Sequence, residues 1–131
     1  MSTLKVTNIQ DTAGGHSMST EGIYNGVAKV WVNFNGTGTV AIRGDYNVNT
    51  ISDNGTGDYT INFSTALTDA NYCVEISMGE TTGTSNTGYA GNRINGKQLA
   101  HLQSSSVRCA PYNNNGGGLV DVGTCCVACF R

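Results

Sequence analysis

Over residues 119–131 the chain reads LVDVGTCCVACFR, and this stretch decides the fold. Side chains alternate between the two faces of a β-strand, so Cys125, Val127 and Cys129 share one face. The opposite face carries a second apolar set, Cys126, Ala128 and Phe130. A sheet that covers a single core pairs an apolar face with a polar one. We therefore expect one face to fill the chain's own core and the other to meet neighbouring subunits. We assign the interface of an obligate homo-oligomer to Cys125, Val127 and Cys129.

The composition of the whole chain is typical of an all-β domain. A length of 131 residues suits one domain with a sizeable core. The chain has 18 glycines, one proline and 12% charged residues, and its apolar residues come in short alternating runs between Gly and Asn clusters. Such runs predict strands joined by tight turns. We predict a small antiparallel β-sandwich of about seven or eight strands.

Charge and hydropathy exclude several classes of partner. The net charge of −2 leaves no basic patch for nucleic acid or anionic membranes. No apolar stretch is long enough for membrane insertion, and residues 1–20 lack the apolar core of a signal peptide. We expect synthesis in a cytoplasm.

Two turns anchor the strand pattern. Val30, Val32 and Phe34 alternate with polar neighbours and are followed by Asn35-Gly36, a strong hairpin signal. A second turn at 53–58 precedes another alternating run. Further strands are expected at 72–78 and 106–110, with long loops at 79–92 and 113–118, while 93–102 fits either a strand or a short helical turn. In the run from Thr39, we expect one face to carry Val40, Ile42 and Tyr46.

The first 22 residues differ from the rest. Leu4, Val6 and Ile9 are isolated apolar residues in polar surroundings, and so short a segment cannot bury them by itself. We predict an attachment and oligomerisation segment at 1–22, docking onto sister chains or another protein, and a β-sandwich knob at 23–131. The alternative is a disordered leader.

The cysteines favour packing over metal binding. Five cysteines are an odd number, which argues against a disulfide framework. Cys125, Cys126 and Cys129 suggest zinc, but on a strand Cys125 and Cys129 lie about 13 Å apart, too far for one tetrahedral ion. We interpret the thiols as small core side chains, with cysteines meeting at a symmetry axis as the one exception, and predict no metal.

The sequence also gives little support for an enzyme or a cofactor. Asp53 and Asp58 frame a turn that lacks the final Glu of an EF-hand. His101 lies near Ser104, without a nucleophile turn or an orienting acid. The glutamates lie in unrelated patterns, so no carboxylate pair for glycoside cleavage is evident. We predict neither catalysis nor a cofactor.

The two long loops combine aromatic rings with side-chain amides. Aromatic rings stack on sugars, and amides satisfy hydroxyls in pairs. The predicted receptor-binding residues are Tyr89, Asn92, Arg93, Tyr112, Asn113, Asn114 and Asn115. The alternative is that they are solvated linkers.

Several stretches resemble short tail-fibre and appendage proteins of tailed bacteriophages, of the cyanophage type. They are STLKVTNIQDTAGG at 2–15, AKVWVNFNGTG at 28–38, ISDNGTGDYTINF at 51–63, DANY at 69–72 and the C-terminal strand. The resemblance covers residues 1–78 and 119–131, and residues 79–118 match no motif of that family. Two departures are the cysteines in the last strand and the absence of a shaft between segment and knob.

The resemblance implies a homotrimeric virion component. Its leader, with Leu4, Val6 and Ile9, attaches to other virion proteins, and its lectin-like knob binds a glycan or protein on the host surface. The missing shaft implies a short appendage. A free-standing lectin and a glycan-degrading enzyme are the alternatives, and the lectin leaves the leader unexplained.

Overall fold

The computed structural model describes residues 2–79, 89–92, 102–113 and 118–131, and within these ranges the chain is an all-β, sandwich-like fold, as predicted. One short helix accompanies the strands. The elements are β1 (Asn8–Gln10), β2 (Ser17–Ser19), α1 (Thr20–Gly26), β3 (Val30–Asn35), β4 (Ala41–Tyr46), β5 (Val48–Gly55), β6 (Asp58–Phe63), β7 (Cys73–Gly79), β8 (Tyr89–Asn92), β9 (Leu102–Gln103), β10 (Ser106–Cys109), β11 (Pro111–Asn113), β12 (Gly118–Leu119) and β13 (Thr124–Phe130).

Two four-stranded antiparallel sheets form the body of the sandwich. The front sheet has the order β4-β3-β13-β7, and the back sheet has the order β5-β6-β10-β9. A three-stranded third sheet, β12-β11-β8, and the β1-β2 hairpin complete the described fold. The eight strands of the front and back sheets agree with the predicted number, whereas the third sheet, the β1-β2 hairpin and α1 were not predicted.

The core lies between the front and back sheets. Val30, Val32 and Phe34 of β3 face Tyr59 and Ile61 of β6, and all five are 0–2% exposed. The rings of Phe34 and Tyr59 meet edge to face, with centroids 5.2 Å apart. Aromatic pairs in this arrangement add to the free energy gained from burial.

The last strand has two apolar faces, as predicted, but the faces are assigned the other way round. Cys125, Val127 and Cys129 are 0–2% exposed in the chain's own core, so the prediction that they form the subunit interface is wrong. The physical reason is that β13 is an inner strand, paired with both β3 and β7, and this face lies against the back sheet. The face with Cys126, Ala128 and Phe130 points outward and is half-buried.

Both predicted hairpins are present. β3 pairs with β4 across the Asn35-Gly36 turn, and β5 pairs with β6 across the second turn. A β-bulge in β4 shifts the register between Asn33 and Phe34, so that Tyr46 lies opposite Trp31 and Ile42 opposite Phe34. The prediction that Ile42 and Tyr46 share a face is therefore wrong, because a bulge reverses the alternation.

The predicted loop at 79–92 is wrong in its last four residues, which form β8. β8 pairs with β11, and β11 also pairs with β12. Small residues in this stretch mask the strand, because neither its length nor its alternation stands out from the loop.

One end of the sandwich is fastened by a network around Tyr59. The Tyr59 hydroxyl lies 2.7 Å from the carbonyl oxygen of Gly36 and 2.8 Å from Oδ1 of Asp121. The same carboxylate accepts a 2.7 Å hydrogen bond from the backbone N–H of Gly57. Burial, together with the Asp121 carboxylate, raises the pKa of Tyr59 above its usual range. Two hairpin turns are thereby tied to the segment that enters β13.

Residues 2–27, here named the N-terminal arm, consist of an extended segment, the β1-β2 hairpin and α1. The side chain of Ser19 caps α1 by accepting a 2.9 Å hydrogen bond from the Gly22 N–H. None of the residues of α1 is buried, and the first core residue along the chain is Val30. α1 spans the predicted boundary between residues 22 and 23.

Candidate functional surfaces

The strand registers define two opposite ends of the sandwich. At the first, here named the base, Lys29 donates its N–H to the carbonyl oxygen of Cys129, and the Asn47 amide donates to the carbonyl oxygens of Lys29 and Thr65. The N-terminal arm continues into β3 at this end. At the other, the tip, β7 ends at Gly79 opposite Thr124. The third sheet joins the tip through a hydrogen bond from the Val120 N–H to the carbonyl oxygen of Pro111.

The tip brings together four of the predicted receptor-binding residues. Asn113 pairs with Tyr89 and Pro111 pairs with Asn92 in the third sheet. Tyr112 of β11 lies opposite Leu119 of β12 and is half-buried. The remaining three predicted residues, Arg93, Asn114 and Asn115, lie outside the described residues. The four described positions therefore lie on paired strands of one sheet and not in the two loops where we expected them.

The base and the N-terminal arm enclose an apolar groove with a volume of about 990 Å³. Leu4, Val6 and Ile9, the predicted docking residues, lie along its wall and are 84%, 42% and 56% exposed. Leu67 of the sandwich contributes to the facing wall. The three predicted docking residues thus share one groove, and they are largely uncovered in the single chain.

Polar contacts border this groove. The Lys29 ammonium group donates to the carbonyl oxygen of Tyr24, and the same Nζ lies 3.6 Å from the centre of the Tyr24 ring. Arg131 pairs with Asp69 at 2.5 Å and lowers the pKa of that carboxyl group. The Lys29–Tyr24 contacts join α1 to the base, whereas the Arg131–Asp69 pair lies within the sandwich.

The outer face of the back sheet is polar, and its side chains satisfy one another. The Asn62 amide donates to the hydroxyls of Thr50 and Ser52 at 3.1 and 3.0 Å. Arg108 holds Asp58 with two hydrogen bonds, one of them 2.6 Å from Nε to Oδ1. This face therefore shows the alternation of a solvated sheet surface and offers few free hydrogen-bonding groups.

The outer face of the front sheet is different, because it carries a furrow along β13. The floor consists of Cys126 and Ala128, and the walls are Trp31 and Asn33 on β3 and Glu75 and Ser77 on β7; together they line a cavity of about 260 Å³. The small floor residues sit between larger neighbours, which explains how an outward apolar face can be half-buried without a second subunit. The sequence patterns did not indicate this furrow, although the outward position of Trp31 in the alternating run was a usable signal.

The buried thiols belong to the core. Cys109 on β10 and Cys125 on β13 are each 0% exposed in the core between the two sheets. The interaction with the Cys125 thiol, together with burial, raises the pKa of Cys109 well above its usual value, and burial, with Cys73 nearby, raises that of Cys129 to about 12. The thiols of Cys109 and Cys129 stay protonated at neutral pH. They therefore pack as small hydrophobic groups.

The described residues contain no group of three or more His, Cys, Asp and Glu side chains that could hold a metal ion. His16 lies on the N-terminal arm, 2.9 Å from the Asp11 carboxylate, whose pKa it lowers. His101 and Glu80 lie outside the described ranges. Glu21 is on α1 and Glu75 is on the front sheet, so these two carboxylates belong to separate surfaces.

Comparison with known proteins gives no relative for this chain: no family model, no curated protein and no solved structure matches it. Within the described residues, no helix has both the length and the apolar character needed to cross a bilayer.

Proposed function

We propose that the chain is a structural component of a phage virion, a homotrimeric tail fibre or similar appendage. In this proposal the N-terminal arm binds sister chains and a neighbouring virion protein, and the tip contributes to recognition of a glycan or protein on the host surface. The observation that carries the proposal is the contrast between a sandwich with its own core and an arm that buries none of its side chains.

The arm needs a partner on physical grounds. Its two strands have three residues each and its helix has seven, and hairpins and helices of this size are marginal in water when nothing packs on them. Its apolar residues are nevertheless poorly covered; Leu4, Ile9 and Met18 are each more than half exposed. Apolar surface concentrated in this way marks an interaction site.

The two ends of the sandwich carry different structures, which supports separate roles for them. The arm lies at the base of the sandwich, and the third sheet with Tyr112 lies at the tip. An appendage that attaches at one end and contacts a cell at the other requires this separation. The resemblance of residues 2–15 to phage leaders supports the same orientation. A free-standing lectin explains the sandwich but gives the arm no role.

The oligomeric state tests the proposal. The full chain has a mass of 13.7 kDa, and we expect light scattering at micromolar concentration to give three times that value. Replacing Leu4, Val6 and Ile9 together with serine is expected to produce monomers with an unchanged sandwich, because the groove loses its apolar wall while the core is untouched.

Ile42→Ser is the matched control, since Ile42 is an exposed apolar residue of the sandwich itself. It should keep the trimer mass. A monomeric full chain, or a triple variant that assembles like the original, contradicts the proposed role of the arm.

A further inference from the structure

We propose that the furrow on the front sheet binds one neutral pyranose ring of a surface saccharide. The inference deepens the proposed function and rests on it only for the source of the saccharide. It places a carbohydrate contact on the side of the sandwich and not on the third sheet, which holds the four described residues that we predicted to bind the receptor.

The aromatic wall of the furrow supplies the stacking surface. Trp31 is 42% exposed, and its ring lies over Gly44 of β4: a Cβ placed on Gly44 would be 3.6 Å from the ring. The neighbouring Tyr46 is 58% exposed. A glycine beneath the indole lets the ring lie close to the sheet, and 42% of the residue remains exposed. The C–H face of a pyranose packs on such a ring through apolar contact.

The opposite wall supplies free hydrogen-bonding groups. Glu75 and Ser77 project outward from β7, directly across β13 from Trp31 and Asn33 in the strand registers. Within the described part of the chain, neither the Glu75 carboxylate nor the Ser77 hydroxyl has a hydrogen-bond partner. A carboxylate accepts hydrogen bonds from two neighbouring hydroxyls, and the serine hydroxyl donates or accepts.

Asn33 adds an unsatisfied acceptor to the same cavity. Its amide nitrogen donates to the sulfur of Cys126 at 3.3 Å. Its Oδ1 is the one buried side-chain oxygen or nitrogen without a partner among the residues that the structure describes. Leaving a buried acceptor unpaired is costly, and a ligand hydroxyl is the donor that it lacks. Since this oxygen is covered in the free chain, we expect Asn33 or Trp31 to shift on binding.

The size and charge of the furrow narrow the ligand. A volume of about 260 Å³ is enough for one sugar ring. The Glu75 carboxylate disfavours uronic and other acidic sugars through like-charge repulsion. The outer face of the back sheet provides an internal contrast, because its amides and hydroxyls are bonded to one another and it presents no comparable aromatic platform among the described residues.

Trp31 is the chain's single tryptophan, so its fluorescence reports on the furrow directly. We propose titrating the full chain with galactose, glucose, N-acetylglucosamine and glucuronate, and recording saturation-transfer NMR on the same samples. We expect a neutral sugar to change the emission, with a Kd on the order of 1 mM as for a small shallow site. Glucuronate should bind at least tenfold more weakly.

Glu75→Gln is expected to weaken binding about tenfold, the usual consequence of replacing a charged hydrogen bond by a neutral one. Ala128→Leu should abolish binding by filling the floor. Glu21→Gln, which changes a carboxylate on the arm, is the matched control and should bind like the original chain.

Absence of any fluorescence change and of saturation transfer at about 50 mM sugar, well above the expected Kd, overturns the inference. Binding that Glu75→Gln and Ala128→Leu leave unchanged also overturns it, since the sugar then sits elsewhere. A third contrary result is a Trp31 emission that changes only when the oligomer dissociates, which makes the furrow a contact between copies. The mass of each variant by light scattering separates these outcomes from failure of the proposed trimer.

Discussion

Gly57→Ala is expected to destabilise the sandwich by about 3–5 kcal/mol, a large part of the stability of a domain this size. Gly57 has φ +59, a conformation that L side chains rarely adopt, and a Cβ added there would lie 2.3 Å from the backbone nitrogen of Val120. That backbone has little freedom to retreat. The Val120 N–H is bonded to the carbonyl oxygen of Pro111, and the carbonyl oxygen of Val122 accepts from the Gly36 N–H.

Gly38→Ala separates the backbone strain from the steric clash with Val120 in this loss of stability. Gly38 has nearly the same φ, +63, but no atom lies within 4 Å of the position of its Cβ. Its substitution should cost about 1 kcal/mol, the strain of the backbone alone. Urea unfolding followed by the Trp31 fluorescence measures both variants. Equal losses at the two positions would show that the contact between the Gly57 turn and Val120 does not hold the tip together.

Val127→Asp is expected to leave the chain unfolded or insoluble. Val127 is 2% exposed in the centre of β13, paired with Val32 on one side and Ile76 on the other. A carboxylate there has no partner and loses its hydration, a cost of at least about 4 kcal/mol. We expect the near-ultraviolet circular dichroism signal of packed aromatic rings to disappear.

Ala128→Lys is the control, because it introduces a charge one residue further along the strand, on the outward face and opposite Glu75. It should retain the folded spectrum. If Val127→Asp keeps that spectrum and only dissociates the oligomer, then Val127 lies on the outward face of β13, at a subunit interface, and not in the core.

Much of the sandwich could be predicted because its strands follow simple rules. The runs at Val30–Asn35 and Asp58–Phe63 alternate cleanly, and a tight turn marks one end of each run. The alternation and the turn residues therefore indicate the same strands. The last strand was also clear, but it was not clear which of its two faces points into the core. Because both faces carry only apolar side chains and cysteines, hydropathy alone could not show that Val127 faces inward.

Other features depend on contacts that single-strand patterns do not carry. The bulge in β4 reverses the alternation between Ile42 and Gly44, and no composition signal distinguishes Gly44 from an ordinary turn glycine. α1 is only seven residues long and has no buried face, so it lacks the periodicity by which helices are recognised. The furrow requires knowing that β3 and β7 flank β13, which is a property of strand order. The sequence could place Trp31 on the outward face but could not place Glu75 across from it.

The most direct test of the proposed role is electron microscopy of virus particles purified from the source of this chain. We expect three copies in each appendage, with the N-terminal arm held against the particle and the tip directed outward. Particles that lack the chain, or that hold it by the tip with the arm free in solvent, would contradict the proposal.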